Sequence, residues 1–307
     1  MKCFVCGNEK KFISLKNKFC NTNNYFCMMC GLVFIPREHD KVKKYYKDEG
    51  YFKSSPNLAL KKALISKSLF IRLGKERIKD ILDIYEIDFR KRKVLDVGCA
   101  YGELLYVLQN RYQAKAIGIE ASTETAKIGG SMFDISIKPI LLEEFNSKNK
   151  FDVILCCHTL EHVSNPIKFL AILKKFMNKE SVLYIEVPNV LKPSGGFDLN
   201  TFLYDEHIQT FSSYNLSLLF HNLGFSVLQF SDKGFLKFFL TINKRKQNVK
   251  IKKISSEKIM NFLTNYKKSY NFFSYLKVYI DKSIYFSKLL NHKVLDFIYK
   301  FVFLKKI

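Results

Sequence analysis

Val94-Leu-Asp-Val-Gly-Cys-Ala-Tyr-Gly102 reads as a buried strand that runs into a small-residue turn and opens a helix. Glycine at 98 and 102 lets the main chain approach a ligand closely, and the free N–H groups of the following helix N-terminus suit a polar ligand group. Dinucleotide enzymes share that logic. The discriminating residue is Asp96, inside the strand end and two positions before the first glycine. A carboxylate there repels a pyrophosphate but suits a cationic amino-acid ligand. About twenty residues on, Gly118-Ile-Glu120 closes a second strand with an acid that can accept both hydroxyls of a ribose.

The surrounding chain has a regular alternation. Val94–Val97, Ala116–Ile119, Val153–Cys157 and Val182–Val187 are apolar runs of the kind that form buried parallel strands. Helical patterns run through 102–111, 122–132, 166–177 and 214–223. Strands alternating with helices imply a doubly wound α/β sheet. Two further strands, 225–230 and 235–241, are separated by Ser-Asp-Lys-Gly and read as a terminal hairpin. The chain has 307 residues, enough for one such domain with smaller attachments.

These features resemble the class I S-adenosylmethionine-dependent methyltransferases. The resemblance extends through Phe151-Asp-Val-Ile-Leu-Cys-Cys-His158 and Leu160-Glu-His162 to Tyr184-Ile-Glu-Val-Pro-Asn189. It implies a seven-stranded, Rossmann-like sheet with a terminal hairpin. It also implies that Asp96 and the turn Gly98, Ala100, Gly102 hold the amino-acid end of S-adenosylmethionine, and that Glu120 and Ala121 hold its ribose. Leu142 is expected at the adenine, with His158 close to the cofactor. The chain departs from the family at Ala100, where a second glycine is usual, and at Leu141-Leu142 before Glu143, where many relatives have Asp.

Five of the eight cysteines fall in the first thirty residues. Cys3-Phe-Val-Cys6 and Cys27-Met-Met-Cys30 have the double-knuckle spacing of a structural four-cysteine zinc site, with Gly7 and Gly31 easing each turn. Four thiolates fill a tetrahedron and leave no open position for water. Cys20 is left over and reads as packing. Cys99, Cys156 and Cys157 sit in apolar runs as core residues.

Tyr204-Asp-Glu-His207 follows the strand ending at Val187, on the side where the mouth of a doubly wound sheet lies. A histidine flanked by carboxylates can serve as a general base, with its pKa raised by the neighbouring acid. The loop and the zinc module together are similar to the nucleotide-sugar C-methyltransferases and to polysaccharide-cluster methyltransferases. That similarity covers roughly residues 1–243. It implies His207 as base, assisted by Glu206, Tyr204 and His162, and a sugar as the small-molecule substrate. This chain has a short basic helical tail where that family continues into a further α/β domain.

The expected organisation is a zinc ribbon over 1–36, a helical linker or lid over 37–92, the methyltransferase domain over 93–243 and a basic helical region over 244–307. Within 37–92, Leu58, Leu60, Ala63, Leu64, Leu69 and Ile71 are spaced as one helix, and a second short helix runs from about Lys75 to Ile84. The net charge is +23, and residues 244–307 carry 16 Lys and Arg against 3 Asp and Glu. That unevenness, with a general richness in Lys, Asn, Ile, Phe and Tyr, favours compositional bias over a nucleic-acid partner. An RNA methyltransferase and a lipid- or quinone-directed one are the alternatives, the first using ribbon and tail as a basic track. The aromatic, lysine-rich stretch Tyr285–Ile307 is a candidate contact for an anionic membrane surface or a partner. No apolar run is long enough for a membrane span and no secretion signal precedes Cys3, so a cytoplasmic protein is expected.

Overall fold

The computed structural model describes residues 1–36, 39–47, 67–193, 198–244 and 249–270. Three short strands open the chain, β1 (Phe12–Ser14), β2 (Tyr25–Cys27) and β3 (Val33–Phe34), followed by helix α1 (His39–Lys47). Helix α2 (Lys67–Ile84) then leads into β4 (Lys93–Val97), α3 (Glu103–Tyr112), β5 (Lys115–Ile119), α4 (Thr123–Phe133) and β6 (Ile137–Lys138). After these come β7 (Val153–Cys157), α5 (Pro166–Lys175), β8 (Val182–Val187), α6 (Leu199–Phe202), β9 (Gln209–Thr210) and α7 (Ser213–Asn222). The hairpin β10 (Ser226–Ser231) and β11 (Leu236–Thr241) and helix α8 (Ser256–Ser269) complete the described elements.

The main sheet has seven strands in the order β10-β11-β8-β7-β4-β5-β6. The pairs from β8 to β6 are parallel, while β11 runs antiparallel to both β8 and β10. This is the α/β Rossmann-like sheet with a terminal hairpin that the alternation implied. The four central runs are strands because both faces are covered. Every residue of β7 and β8 is buried, which is why they read as unbroken apolar runs rather than alternating ones. One core lies on each face. The first gathers Leu95, Ile154, Leu183 and Phe238, and the second Val94, Leu105, Leu155, Tyr184 and Phe239. Fully burying each such side chain stabilises the fold by roughly 1.5–3 kcal/mol.

The helix starts are set by side-chain caps. The Ser122 hydroxyl accepts from Thr125 N–H at α4, Asn165 from Lys168 N–H at α5, and Ser212 from Asn215 N–H at α7. Helix α2 corrects one expectation. The sequence suggested a break before Lys75, but Lys67–Ile84 is continuous through Gly74. That glycine is a contact point, since a Cβ there would lie 2.7 Å from the carbonyl oxygen of Glu103. It lets α2 lie directly on the start of α3. Leu58, Leu60, Ala63 and Leu64 lie outside the described residues, as does Tyr285–Ile307.

The N-terminal strands join a second sheet, β1-β2-β3-β9, whose last member belongs to the segment after His207. Val33 pairs with Thr210 and Phe34 with Gln209, and Ile35 N–H donates to Ile208 O at 2.7 Å. Asn215 Nδ2 donates to Cys30 O, and Asn222 Nδ2 donates to Val5 O at 3.0 Å. Helix α8 closes over the other side. A Cβ on Gly31 would meet the Ile259 side chain at 2.4 Å, and Ile259 and Leu263 are fully buried with Leu15 and Phe26. The cysteine-bearing segment is thus built into the shared core. Among the described residues, no helix is long and apolar enough to cross a membrane.

Candidate functional site

The C-terminal ends of β4, β5 and β7 open onto a cavity of about 360 Å³, within the range of small-molecule sites. Asp96, Gly98, Ala100, Glu120, Ala121, Leu142, His158 and His162 all line it, together with Arg77, Glu103, Glu143, Thr159 and Tyr46. The β4 turn is shaped by left-handed main chain, with φ of 71° at Gly98, 48° at Ala100 and 79° at Gly102. At Gly98 a Cβ would lie 2.3 Å from the Thr159 hydroxyl oxygen. That hydroxyl donates toward the carbonyls of Val97 and Cys157, so it cannot easily move. Gly102 differs from the expectation: it caps α3 facing Ile135 and Ile137 and is not among the residues lining the cavity. A glycine is needed there by the left-handed φ and by the close Ile135 and Ile137 side chains.

Three carboxyls ring this end. Asp96 is buried, one of its oxygens accepts no hydrogen bond, and burial pushes its carboxyl up to about 8, with Glu103 adding and Arg77 opposing. Burial also raises Glu103, whose Oε2 is likewise without a hydrogen-bond donor. Glu120 accepts Ala100 N–H and Ser122 N–H, one on each oxygen, at 3.0 Å. Burial raises its carboxyl, with those N–H groups opposing. A buried carboxylate oxygen without a donor is costly, and a cationic amino group entering the cavity at Asp96 supplies one. Each Glu120 oxygen keeps a second lone pair for a diol. The residues present therefore fit an aminoacyl nucleoside sulfonium.

A second polar group follows β7. His158 has a left-handed φ of 51° and its Nε2 is 2.9 Å from Glu186 Oε1. Its Nδ1 is 3.3 Å from Glu161 Oε1, within ion-pair range but not in hydrogen-bond geometry. Burial works against its charge, but the two carboxylates prevail and hold it up at about 9. Glu186 is held down at about 2 against burial by His158 and Arg77, and Tyr184 hydroxyl donates to it.

The expected catalytic loop is arranged differently from its reading in sequence. His207 is buried, with its Nδ1–H donating to Phe202 O at 3.3 Å and its Nε2 accepting from the Tyr204 hydroxyl at 3.0 Å. Its pKa is lowered to about 4, by burial first and then by His162, where a flanking acid was expected to raise it. The Glu206 carboxylate does not supply that acid. It accepts from Tyr45 hydroxyl at 3.0 Å, while its main-chain carbonyl accepts from His162 Nδ1–H at 2.8 Å. The acid beside both imidazoles is Glu161, whose role the sequence reading left unassigned. Neither Tyr204, Glu206 nor His207 is among the residues lining the cavity; His162, with its ring 5.2 Å from that of His207, is.

The four cysteines converge as expected. The thiol sulfurs of Cys3, Cys6, Cys27 and Cys30 lie within 4.8 Å of one another, with Cys3–Cys30 at 3.6 Å and Cys6–Cys27 at 3.5 Å. Sulfurs around a tetrahedral zinc are separated by about 3.8 Å. Gly7 N–H donates to Cys3 O and Gly31 N–H to Cys27 O, both glycines being left-handed. Cys20 lies outside the cluster, against Leu15, Thr22 and Asn24.

Sheet, turn and cavity define a class: the chain carries a methyltransferase domain with a Rossmann-like fold. It belongs to the methyltransferase domain family, whose model matches residues 70–230. Among curated relatives it is 27% identical over 159 residues to the ubiquinone biosynthesis O-methyltransferase of Bartonella quintana (strain Toulouse), covering 44% of this chain and 64% of that one. It is 31% identical over 113 residues to the tRNA U34 carboxymethyltransferase of Campylobacter jejuni subsp. jejuni, covering 35% of this chain and 39% of the other. The chain thus spans less than two thirds of the length of these relatives. The plantazolicin methyltransferase BpumL, solved in complex with a pentazolic desmethylPZN analog and SAH, aligns over 68% of this chain and all of its own at 16% identity and a TM-score of 0.49.

Proposed function

We propose that this methyltransferase acts on a hydroxyl of a sugar, either nucleotide-linked or part of a surface-polysaccharide precursor. The observation that carries the reading is one cavity bordered by both the Asp96–Glu120 group and His162. Asp96 takes the ammonium of the cofactor, Glu120 the ribose diol, and Leu142 and Ile140 flank the adenine. The bound cofactor supplies an activated methyl for in-line displacement. The chain's part is then to align the acceptor and accept its proton. His162 Nε2, with His207 and Glu161 behind it, is the basic group on the cavity wall. Tyr204 acts by holding His207, and Glu206 by its main-chain carbonyl on His162. The four cysteines hold a structural zinc that fixes β3, and through its pairing with β9 the segment after His207.

A quinone-type phenol is the second reading. It is favoured by the ubiquinone O-methyltransferase relatives and by the aromatic ring of Tyr46, whose centroid lies 5.7 Å from that of His162. Transfer of tritiated methyl from S-adenosylmethionine to a panel of nucleotide sugars, catechol-type phenols and RNA separates the two. Label in a sugar supports the first reading, label only in phenols supports the second, and label only in RNA defeats both.

A further inference from the structure

Glu103 is the first residue of α3, and Gly102 before it offers no side-chain cap. An acid in the first turn of a helix ordinarily faces solvent, where it complements the positive end of the helix dipole. Glu103 instead lines the cavity, and its Oε2 is shut off from solvent without a hydrogen-bond donor. Packing fixes it there. Gly74 brings α2 against the Glu103 carbonyl: a Cβ at 74 would stand 2.7 Å from that oxygen and 3.1 Å from the Val107 side chain. Asp96, 2% exposed, presents a second such oxygen to the same cavity from β4. After burial, Glu103 is the main reason the Asp96 carboxyl is raised, so the two are close enough to repel. The charged groups around them are already engaged. Glu120 accepts main-chain N–H groups on both oxygens. Arg77 pairs with Glu186 at 3.8 Å, and it opposes the raising of both carboxyls without donating to either open oxygen.

We propose that Glu103 is a second receptor for the ammonium group of S-adenosylmethionine, gripping it together with Asp96. The inference rests on the cofactor reading above. An ammonium carries three N–H donors, so one group can fill both open oxygens. Its charge also relieves the repulsion between the two carboxyls, which favours their ionised forms together. A nucleoside thioether without the amine leaves both oxygens unfilled, and a buried acceptor without a donor is costly. The pair therefore makes the cavity select the aminoacyl ligand over its amine-free counterpart, while Glu120 holds the ribose common to both. Glu103 touches only the amine and takes no part in the methyl transfer itself.

The test is calorimetry on the full-length protein, wild type and Glu103→Gln, with two ligands. One is SAH and the other is deamino-SAH, in which a hydrogen replaces the amino group. The variant is expected to bind SAH at least about tenfold more weakly than wild type does, and deamino-SAH within about threefold. Deamino-SAH binding, with an unchanged circular dichroism spectrum, shows that the variant is folded. Equal SAH affinity in the two proteins overturns the role of Glu103. An equal loss for both ligands overturns it too, because Glu103 would then act only through the packing of α2 on α3. Wild type that binds neither ligand overturns the cofactor reading, and the Glu103 assignment with it.

Discussion

Replacing Asp96 by Asn tests the electrostatics of the cofactor cavity. Burial beside Glu103 holds the Asp96 carboxyl at about 8 in the free protein. At pH 7 it is therefore roughly nine-tenths protonated. An ammonium group arriving at this carboxyl favours its charged form and drives the proton off, so binding of S-adenosylmethionine at pH 7 releases nearly one proton. Two readouts follow. The calorimetric enthalpy varies with the ionisation enthalpy of the buffer, with a slope near one proton. The affinity rises about tenfold, roughly 1.4 kcal/mol, between pH 6 and pH 7, as the ionised fraction rises. This window stays below the titration of the ligand's own amino group, near 7.7–8.0. In Asp96→Asn both dependences flatten and binding at pH 7 is weaker. The linkage also has a sign for stability. A carboxyl raised on folding contributes stability that is fully present below its ordinary value of 3.8 and is lost as pH rises through about 8. The free protein should thus lose stability over that range, less steeply in Asp96→Asn. A buffer-independent enthalpy with pH-independent affinity in wild type would refute the reasoning, because Asp96 would then be ionised before the ligand arrives.

Three further outcomes can be measured. Ala100→Gly relieves a φ of 48°, worth roughly 1–2 kcal/mol for a non-glycine residue and partly offset by glycine's chain entropy; urea denaturation should show a gain of about 0.5–1 kcal/mol, and a loss contradicts the strain. Glu206→Gln keeps the main-chain carbonyl that anchors His162, so methyl transfer should stay within about threefold of wild type; a hundredfold drop restores the side chain to catalysis. Cys27→Ser should lower bound zinc below one equivalent by metal analysis and, because β3 pairs with β9, raise hydrogen exchange at Gln209–Thr210. Full zinc content in that variant rejects the cluster.

The parts legible in sequence were those written locally. Strands buried on both faces announce themselves as apolar runs, the turn at Gly98–Gly102 is punctuated by small residues, and paired CxxC knuckles carry their own spacing. The two-residue strands β3 and β9 carry no periodicity, so their pairing, which ties the cysteine segment to the His207 loop, was invisible. The helix over Lys67–Ile84 was read as two, because nothing local shows that Gly74 packs against Glu103. The protonation of His207 was misread because flanking acids in sequence are not neighbours in space. Glu206 reaches Tyr45, and Glu161, forty-odd residues earlier, takes its place. Arg77 gave no local sign at all, since its partner Glu186 lies on β8.

Asp96, the small-residue turn and Glu120 are proposed to hold the methyl donor. Calorimetry of SAH binding to wild type and to Glu120→Ala tests it most directly. Wild type should show one site and the variant an affinity at least about thirtyfold lower, with the loss of the ribose contacts costing roughly 2 kcal/mol or more. Equal affinity for SAH in the two proteins would contradict it.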